Sequence, residues 1–244
     1  MSNGNRGTLM VDRIAKEKLN IILLIDTSKS MQGRRIKQVD QAIMDIKTYL
    51  SDLQKENTNV DFYISLIQFG TSSSFYNDNK SINVDDFEYS GLKCSGYSNL
   101  HLGLDNLIGI MKKESKGGIM PDFGGVAPII LLLTDGHPTG NGYKKKLLEL
   151  KDVPWFKVAL RYGIAIELND DRTTKVLYDF TSNNGDVISC YDSNMLKDII
   201  KIIVLTASKV KSSCSSIDES KKSQNEIAQQ LIAEELAETE KWGW

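Results

Sequence analysis

The chain has 244 residues, 41% hydrophobic and 25% charged, enough to bury one sizeable α/β core plus an appendage. A formal net charge of −2 and a pI near 5.8 give no global electrostatic footprint for nucleic acid or a membrane surface, so such a partner would need a local patch. Cys94, Cys190 and Cys214 are odd in number and lack Cys-x-x-Cys spacing, which indicates reduced thiols rather than a disulfide framework or a zinc site.

Residues 1–17 read as a polar N-terminal extension. Met1 to Asp12 lacks the apolar stretch of a secretory signal, and no run approaches the roughly 18 to 20 apolar residues of a spanning helix. The expectation is a soluble, cytoplasmic protein with no direct nucleic-acid or membrane partner. Strand-like apolar runs follow at Leu19 to Ile25, Val60 to Phe69, Ala127 to Thr134, Lys157 to Leu168 and Asp186 to Ser189. Helical patterns lie between them at Arg35 to Leu53, Asn99 to Lys113, Gly142 to Leu150, Arg172 to Thr181 and Asn194 to Ser208. Strands apolar on both faces that alternate with helices predict a doubly wound, Rossmann-like, mostly parallel sheet with helices on both faces. Phe75-Tyr76 and Ser81 to Val84, split by the turn-rich Asn77-Asp78-Asn79-Lys80, predict a short antiparallel hairpin at the sheet edge. Ser115 to Gly125 reads as a surface connector, since it lacks the Gly-Lys-Ser/Thr ending of a phosphate-binding loop.

Asp26-Thr27-Ser28-Lys29-Ser30 leaves the first buried strand with a carboxylate and two hydroxyls at i, i+2 and i+4. Ile129 to Thr134 runs into a second carboxylate, Asp135, and the small-residue loop Ser95 to Leu100 offers a further hydroxyl at Ser98. Hard oxygen donors with few carboxylates suit Mg²⁺, which prefers octahedral oxygen coordination and keeps several waters. In an open α/β sheet such groups meet at the carboxyl ends of the strands, where the strand order reverses. Thr27 and Lys29 are expected to point away from the ion.

These motifs resemble the von Willebrand factor A family, whose metal-ion-dependent adhesion site combines Asp-x-Ser-x-Ser, a Thr in a Gly-rich loop and a later Asp. Here Asp26, Ser28, Ser30 and Asp135 match, while Ser98 stands at the Thr position and keeps the hydroxyl. The resemblance spans residues 18–210 and looks most like the bacterial tellurite-resistance (TerY-like) branch. It implies a six-stranded sheet with one antiparallel edge strand, and Mg²⁺ (or Mn²⁺ or Ca²⁺) held directly by Ser28 and Ser30, by Ser98 directly or through water according to the state of its loop, with Asp26 and Asp135 acting mostly through water. It also implies a vacant coordination position for an Asp or Glu of a partner protein. A role in bacterial stress response or phage defence, with a protein kinase and a phosphatase as partners, rests on the same resemblance. Ala at Asp26 or Ser28 is then expected to abolish metal-dependent association and leave the fold, because a rim contributes little core.

His137, on the rim just beyond Asp135, is a candidate partner contact. Lys144-Lys145-Lys146 reads as a solvated helix face. Residues 211–224 form a Ser/Lys-rich linker, and residues 225–244 an acidic amphipathic tail helix with Leu231, Ile232 and Leu236 on its stripe and Trp242 and Trp244 at its end. Those five tail residues are candidates for docking a partner or for folding back on the domain. Insertion of a tail acid into the metal site of a second copy would give self-association. Two other functions compete with metal-dependent binding: a metal-dependent phosphoester hydrolase, and an adaptor acting mainly through the tail. Against the first, Gly96 to Leu100 lacks the final Gly of a nucleophile elbow, and Ser28 stands where a phosphatase-type Asp loop needs its general acid.

Overall fold

Ile21, Leu23 and Ile25 of strand β1 (Glu17–Asp26) point into one apolar cluster, while Ile22 and Leu24 point into another. Ile129, Leu131 and Leu133 of β5 (Ile129–Thr134) divide from Ile130 and Leu132 in the same way. Side chains alternate across a strand, so a strand apolar at every position must be covered on both faces. The computed structural model describes residues 16–56, 59–167, 171–182 and 187–212, and in the tail residues 230–232, 234 and 237.

Helix α1 (Arg34–Glu56) and helix α6 (Ser193–Ser212) cover the first cluster through Val39, Ile43, Ile46 and Leu50 and through Ile199, Ile203 and Val204. The second cluster lies under α2 (Leu100–Ile110), α3 (Gly142–Lys151), α4 (Pro154–Val158) and α5 (Asp171–Thr181). Leu104 and Leu107 of α2, Leu147 and Leu150 of α3, and Leu177 and Phe180 of α5 fill it. Each fully buried Leu, Ile or Phe contributes about 1.5–3 kcal/mol relative to exposure, so these two layers supply most of the driving force for folding.

The sheet also contains β2 (Val60–Phe69), β3 (Ser73–Phe75), β4 (Ile82–Asn83), β6 (Leu160–Ile166) and β7 (Val187–Cys190), in the order β3-β2-β1-β5-β6-β7, with β4 also on β2. The pairs of β1 with β2 and β5, of β5 with β6 and of β6 with β7 are parallel. The antiparallel edge is one position split in two: β3 pairs with Ile67 to Phe69, and β4 with Tyr63 and Ile64. Both short strands therefore lie on β2, and the expected hairpin between them is not formed. The segment between them makes a helical turn at Tyr76–Asp78, with Asn77 and Asp78 at positive φ, instead of a tight two-strand reversal.

Three further boundaries differ from the sequence pattern. Lys157 and Val158 belong to α4, whose first residue is Pro154, and β6 begins only at Leu160. Proline at the first helical position is preorganised for a helix because its fixed φ suits the turn and its missing N–H has no partner there anyway. The connector Ser115 to Gly125 is not wholly superficial, because Ile119 and Met120 are buried in the second cluster. Helix α6 runs on through Ser212, so the segment taken to begin the linker at residue 211 starts helical. Most of the extension, the rest of the linker, and Leu236, Trp242 and Trp244 lie outside the described residues.

In the tail, Ile232 is fully buried in the first cluster, while Leu231 is 40% exposed. Ile232 is therefore corrected from a partner contact to a residue packed against the chain's own core. Burial of a β-branched apolar side chain stabilises that docking in cis, and Leu231 remains outward.

Candidate metal centre

Strand β1 ends at Asp26, and β5 ends one residue before Asp135. The two strands are neighbours with Ile25 opposite Leu133, which sets Asp26 beside Thr134. The chain leaves β1 in one direction across the sheet, through α1 to β2, whereas β5, β6 and β7 follow in the other direction. The two carboxylates thus stand at the reversal of strand order, where the loops diverge and leave a crevice.

Asp26 joins three loops. Its Oδ1 accepts the Ser28 backbone N–H at 2.8 Å, and its Oδ2 accepts the hydroxyls of Ser98 and Thr134, each at 2.8 Å. Ser28 Oγ lies 3.0 Å from Ser30 Oγ, and Ser30 Oγ donates to Asp135 Oδ1 at 2.8 Å. All five residues expected to form the site are therefore brought together. The backbone fixes the loops as well. Lys29 N–H donates to Gly96 O at 3.1 Å, Ser95 N–H to Thr27 O at 2.9 Å, and Thr139 N–H to Ser98 O at 2.7 Å. Lys29 is exposed, and Thr27 is buried with its hydroxyl donating to Phe69 O at 3.0 Å, outside the cluster of site oxygens.

The donor set fits a small divalent cation. Two ligands in adjacent positions of an octahedron with metal–oxygen bonds of about 2.1 Å lie about 3.0 Å apart, and about 3.4 Å apart for the longer bonds of Ca²⁺. The separation of Ser28 Oγ from Ser30 Oγ is 3.0 Å. That distance is the hydrogen bond between the two hydroxyls, and it is compatible with adjacent positions around a small divalent ion. Among the described residues there is no group of three or more His, Cys, Asp or Glu side chains arranged for a metal, so a softer, nitrogen- or thiolate-rich centre has no counterpart there.

Charge at the site is finely balanced. Asp26 is completely buried, and that burial holds its carboxyl above the usual 3.8, opposed by its hydrogen bonds from Ser28, Thr134 and Ser98. A divalent ion would remove this burden by favouring the ionised form. Cys94 is half-buried with its thiol pushed up to about 11, first by desolvation and then by Asp26, Asp40 and Asp135, so without a metal it is uncharged at neutral pH.

Two residues of the site escaped the sequence reading as participants. Thr134 supplies a hydroxyl to Asp26, although it reads as the last residue of a strand. Arg35, in the first turn of α1, places Nη1 2.5 Å from Asp135 Oδ2 and 3.1 Å from Ser30 O, with its Nε 3.6 Å from Glu167 Oε2. Its guanidinium balances Asp135 and leaves the other carboxylate oxygen to Ser30. The signal for it was weak: an Arg near the start of α1 has the sequence character of a solvated helix face. His137 is exposed on the rim, with Nδ1 3.3 Å from Thr173 Oγ1.

Comparison with known proteins agrees with this geometry. The family model for the von Willebrand factor type A domain matches residues 20–202. Inter-alpha-trypsin inhibitor heavy chain H1 of Sus scrofa is 31% identical over 132 residues, covering 52% of this chain and 14% of that protein. The chain spans at most 20% of the length of the curated relatives it matches. Among solved structures, the von Willebrand factor type A protein from Catenulispora acidiphila is similar at TM-score 0.55 and 11% identity, over 78% of this chain and 43% of that one. Proximal thread matrix protein 1 from the mussel byssus, with a zinc-occupied MIDAS motif, is similar at TM-score 0.53 and 18% identity, over 79% of this chain and 48% of that one. At these identities the structural likenesses establish the fold.

Proposed function

The chain belongs to the von Willebrand factor type A domain family, and on that premise we propose that it is a non-enzymatic, metal-dependent protein-binding module that docks an acidic side chain of a partner. The observation that carries this reading is the convergence of the Ser28, Ser30 and Ser98 hydroxyls on two carboxylates at the strand-order reversal. Ser28, Ser30 and Ser98 would hold the ion, and Asp26 and Asp135 would orient it through water. An ion with neutral first ligands remains electron-poor and attracts a carboxylate from outside. The zinc-occupied site of the mussel relative supports a divalent ion at this place, with Mg²⁺ or Mn²⁺ preferred here on hard-oxygen chemistry. Asp26 and Asp135 are held by the hydroxyls of Ser98, Thr134 and Ser30 and by Arg35, an arrangement suited to orienting an ion. Placement in the tellurite-resistance branch, with its stress-response and phage-defence setting and its kinase and phosphatase partners, draws no support from the relatives above and forms no part of the proposal.

The test is an NMR titration with a short peptide containing one Glu, run in Mg²⁺ and again in EDTA. Saturable shifts confined to the loops of Ser28, Ser98 and Asp135, absent in EDTA and absent for the Gln peptide, are expected. Equal shifts in EDTA, or with the Gln peptide, would contradict the reading. So would Mg²⁺-dependent turnover of a generic phosphate ester that disappears in Asp26→Asn.

A further inference from the structure

Beside the metal rim lies a pocket of about 300 Å³, lined chiefly by His137, Pro138, Asn141, Tyr143, Lys144 and Lys175, with no Asp or Glu among the described lining residues. It opens between the loop after β5, the first turn of α3 and the outer face of α5. That loop is continuous with the metal site: His137 follows Asp135 by two residues, and Thr139 N–H is bonded to Ser98 O at 2.7 Å.

The charges around it are placed against helix stability. Helix α3 has no acidic residue in its first turn and no side-chain hydrogen bond from its N-cap Asn141, yet it begins with Lys144, Lys145 and Lys146. Lysines at the positive end of a helix dipole are unfavourable, whereas an anion there is favourable. Lys146 is offset by Asp105 at 2.7 Å and Glu149 at 2.8 Å. Lys145 is exposed and lies outside the pocket. Lys144 and Lys175 are also exposed and make no ion pair among the described residues, and both face the pocket. Asp179 acts on Tyr143 from the same helix as Lys175, but neither lysine is ion-paired among the described residues, so positive charge on two elements of a concave site still favours an anionic occupant.

We infer that this pocket binds a second carboxylate of the same acidic partner segment whose first carboxylate reaches the metal. The inference rests on the proposed function and narrows it: the ligand class becomes a segment with two Asp or Glu side chains, one on the ion and one between Lys144 and Lys175. The second contact sets register and specificity, because a single metal–carboxylate bond accepts any acidic residue.

The experiment compares acetylated, amidated peptides carrying one Glu with peptides carrying two, separated by alanine spacers of increasing length, titrated by NMR in Mg²⁺. Wild-type protein should prefer one diacid spacing by about tenfold over the monoacid. The double variant Lys144→Gln, Lys175→Gln should lose that preference while binding Mg²⁺ and the monoacid as before, and Lys145→Gln should keep it. Metal-dependent binding of the monoacid with no diacid preference at any spacing, or a preference unchanged in the double variant, would overturn this inference alone. Monoacid binding indifferent to metal would overturn the parent reading and this one with it.

Discussion

Asp26→Asn is expected to abolish divalent-cation binding and keep a cooperative fold, whereas Asp26→Ala should lose the ion together with about 2–4 kcal/mol of stability. The difference follows from what Asp26 touches. An Asn retains a carbonyl oxygen for the Ser28 N–H and offers an amide to the Ser98 and Thr134 hydroxyls, which accept as readily as they donate. Alanine leaves all three groups without this partner in a buried place, each at a cost of about 1–3 kcal/mol, partly offset by removing a desolvated carboxyl. The expectation that a rim substitution leaves the fold intact therefore fails for Asp26→Ala, because this rim residue is a buried junction of three loops.

The pH dependence has a definite sign. Burial raises the folded-state value of Asp26 above 3.8, so over that interval the folded protein binds more protons than the unfolded chain. This group's contribution to metal-free stability then falls as pH rises through the interval, and the deficit persists above it. A divalent ion binds the ionised form, so its stabilisation grows with pH over the same interval. Urea unfolding of wild type, Asp26→Asn and Asp26→Ala at pH values across and above that interval, with and without Mg²⁺, checks these statements. An Asp26→Ala midpoint equal to wild type in EDTA, or Mg²⁺ stabilisation of Asp26→Asn equal to that of wild type, would contradict them.

Gly96→Ala is expected to weaken Mg²⁺ binding by at least about tenfold and to destabilise the fold by about 1–3 kcal/mol. Gly96 has φ +69°, and a Cβ there would lie 1.8 Å from Thr71 Oγ1, the atom that accepts the Tyr97 N–H. Alanine must either displace Thr71 or move the loop. Gly96 O also accepts the Lys29 N–H, so movement is passed to both Ser98 and the Ser28–Ser30 segment. Gly117 provides the control, with φ +78° and open space where its Cβ would stand. Gly117→Ala should show the backbone penalty in urea unfolding and leave Mg²⁺ affinity unchanged by calorimetry. Equal Mg²⁺ affinity for Gly96→Ala and wild type would show that the loop does not position the ion's ligands.

Most of the metal centre was legible because its residues sit at abrupt changes in pattern. Asp26 directly follows the apolar run Ile21 to Ile25, and Asp135 follows Ile129 to Leu133 after a single Thr, so each carboxylate breaks a buried pattern abruptly. Ser98 was visible as a hydroxyl on a small-residue loop, and the family's spacing singled it out as the counterpart of a Thr. Arg35 and Thr134 were hidden for opposite reasons: one has the sequence character of a solvated helix, the other of a strand. Their roles exist only because β1 and β5 are neighbours, a fact of topology between residues far apart in sequence. The order of layers followed from strands apolar on both faces, but α4 did not. Its Phe156 and Val158 continue an apolar run into β6, and only Pro154 marked the start of a helix. Ile232 carried an apolar stripe that suits a partner or the chain's own core equally well, and three-dimensional packing decided it.

The central claim is that Ser28 and Ser30 present adjacent ligands to one small divalent ion in front of Asp26 and Asp135. Crystals soaked in Mn²⁺ and measured for anomalous scattering test it directly. The account predicts a peak about 2.1 Å from both serine hydroxyls, with Asp26 and Asp135 reaching it mostly through water. A crystal showing Mn²⁺ bound elsewhere, while Ser28 Oγ and Ser30 Oγ remain bonded to each other, would contradict it.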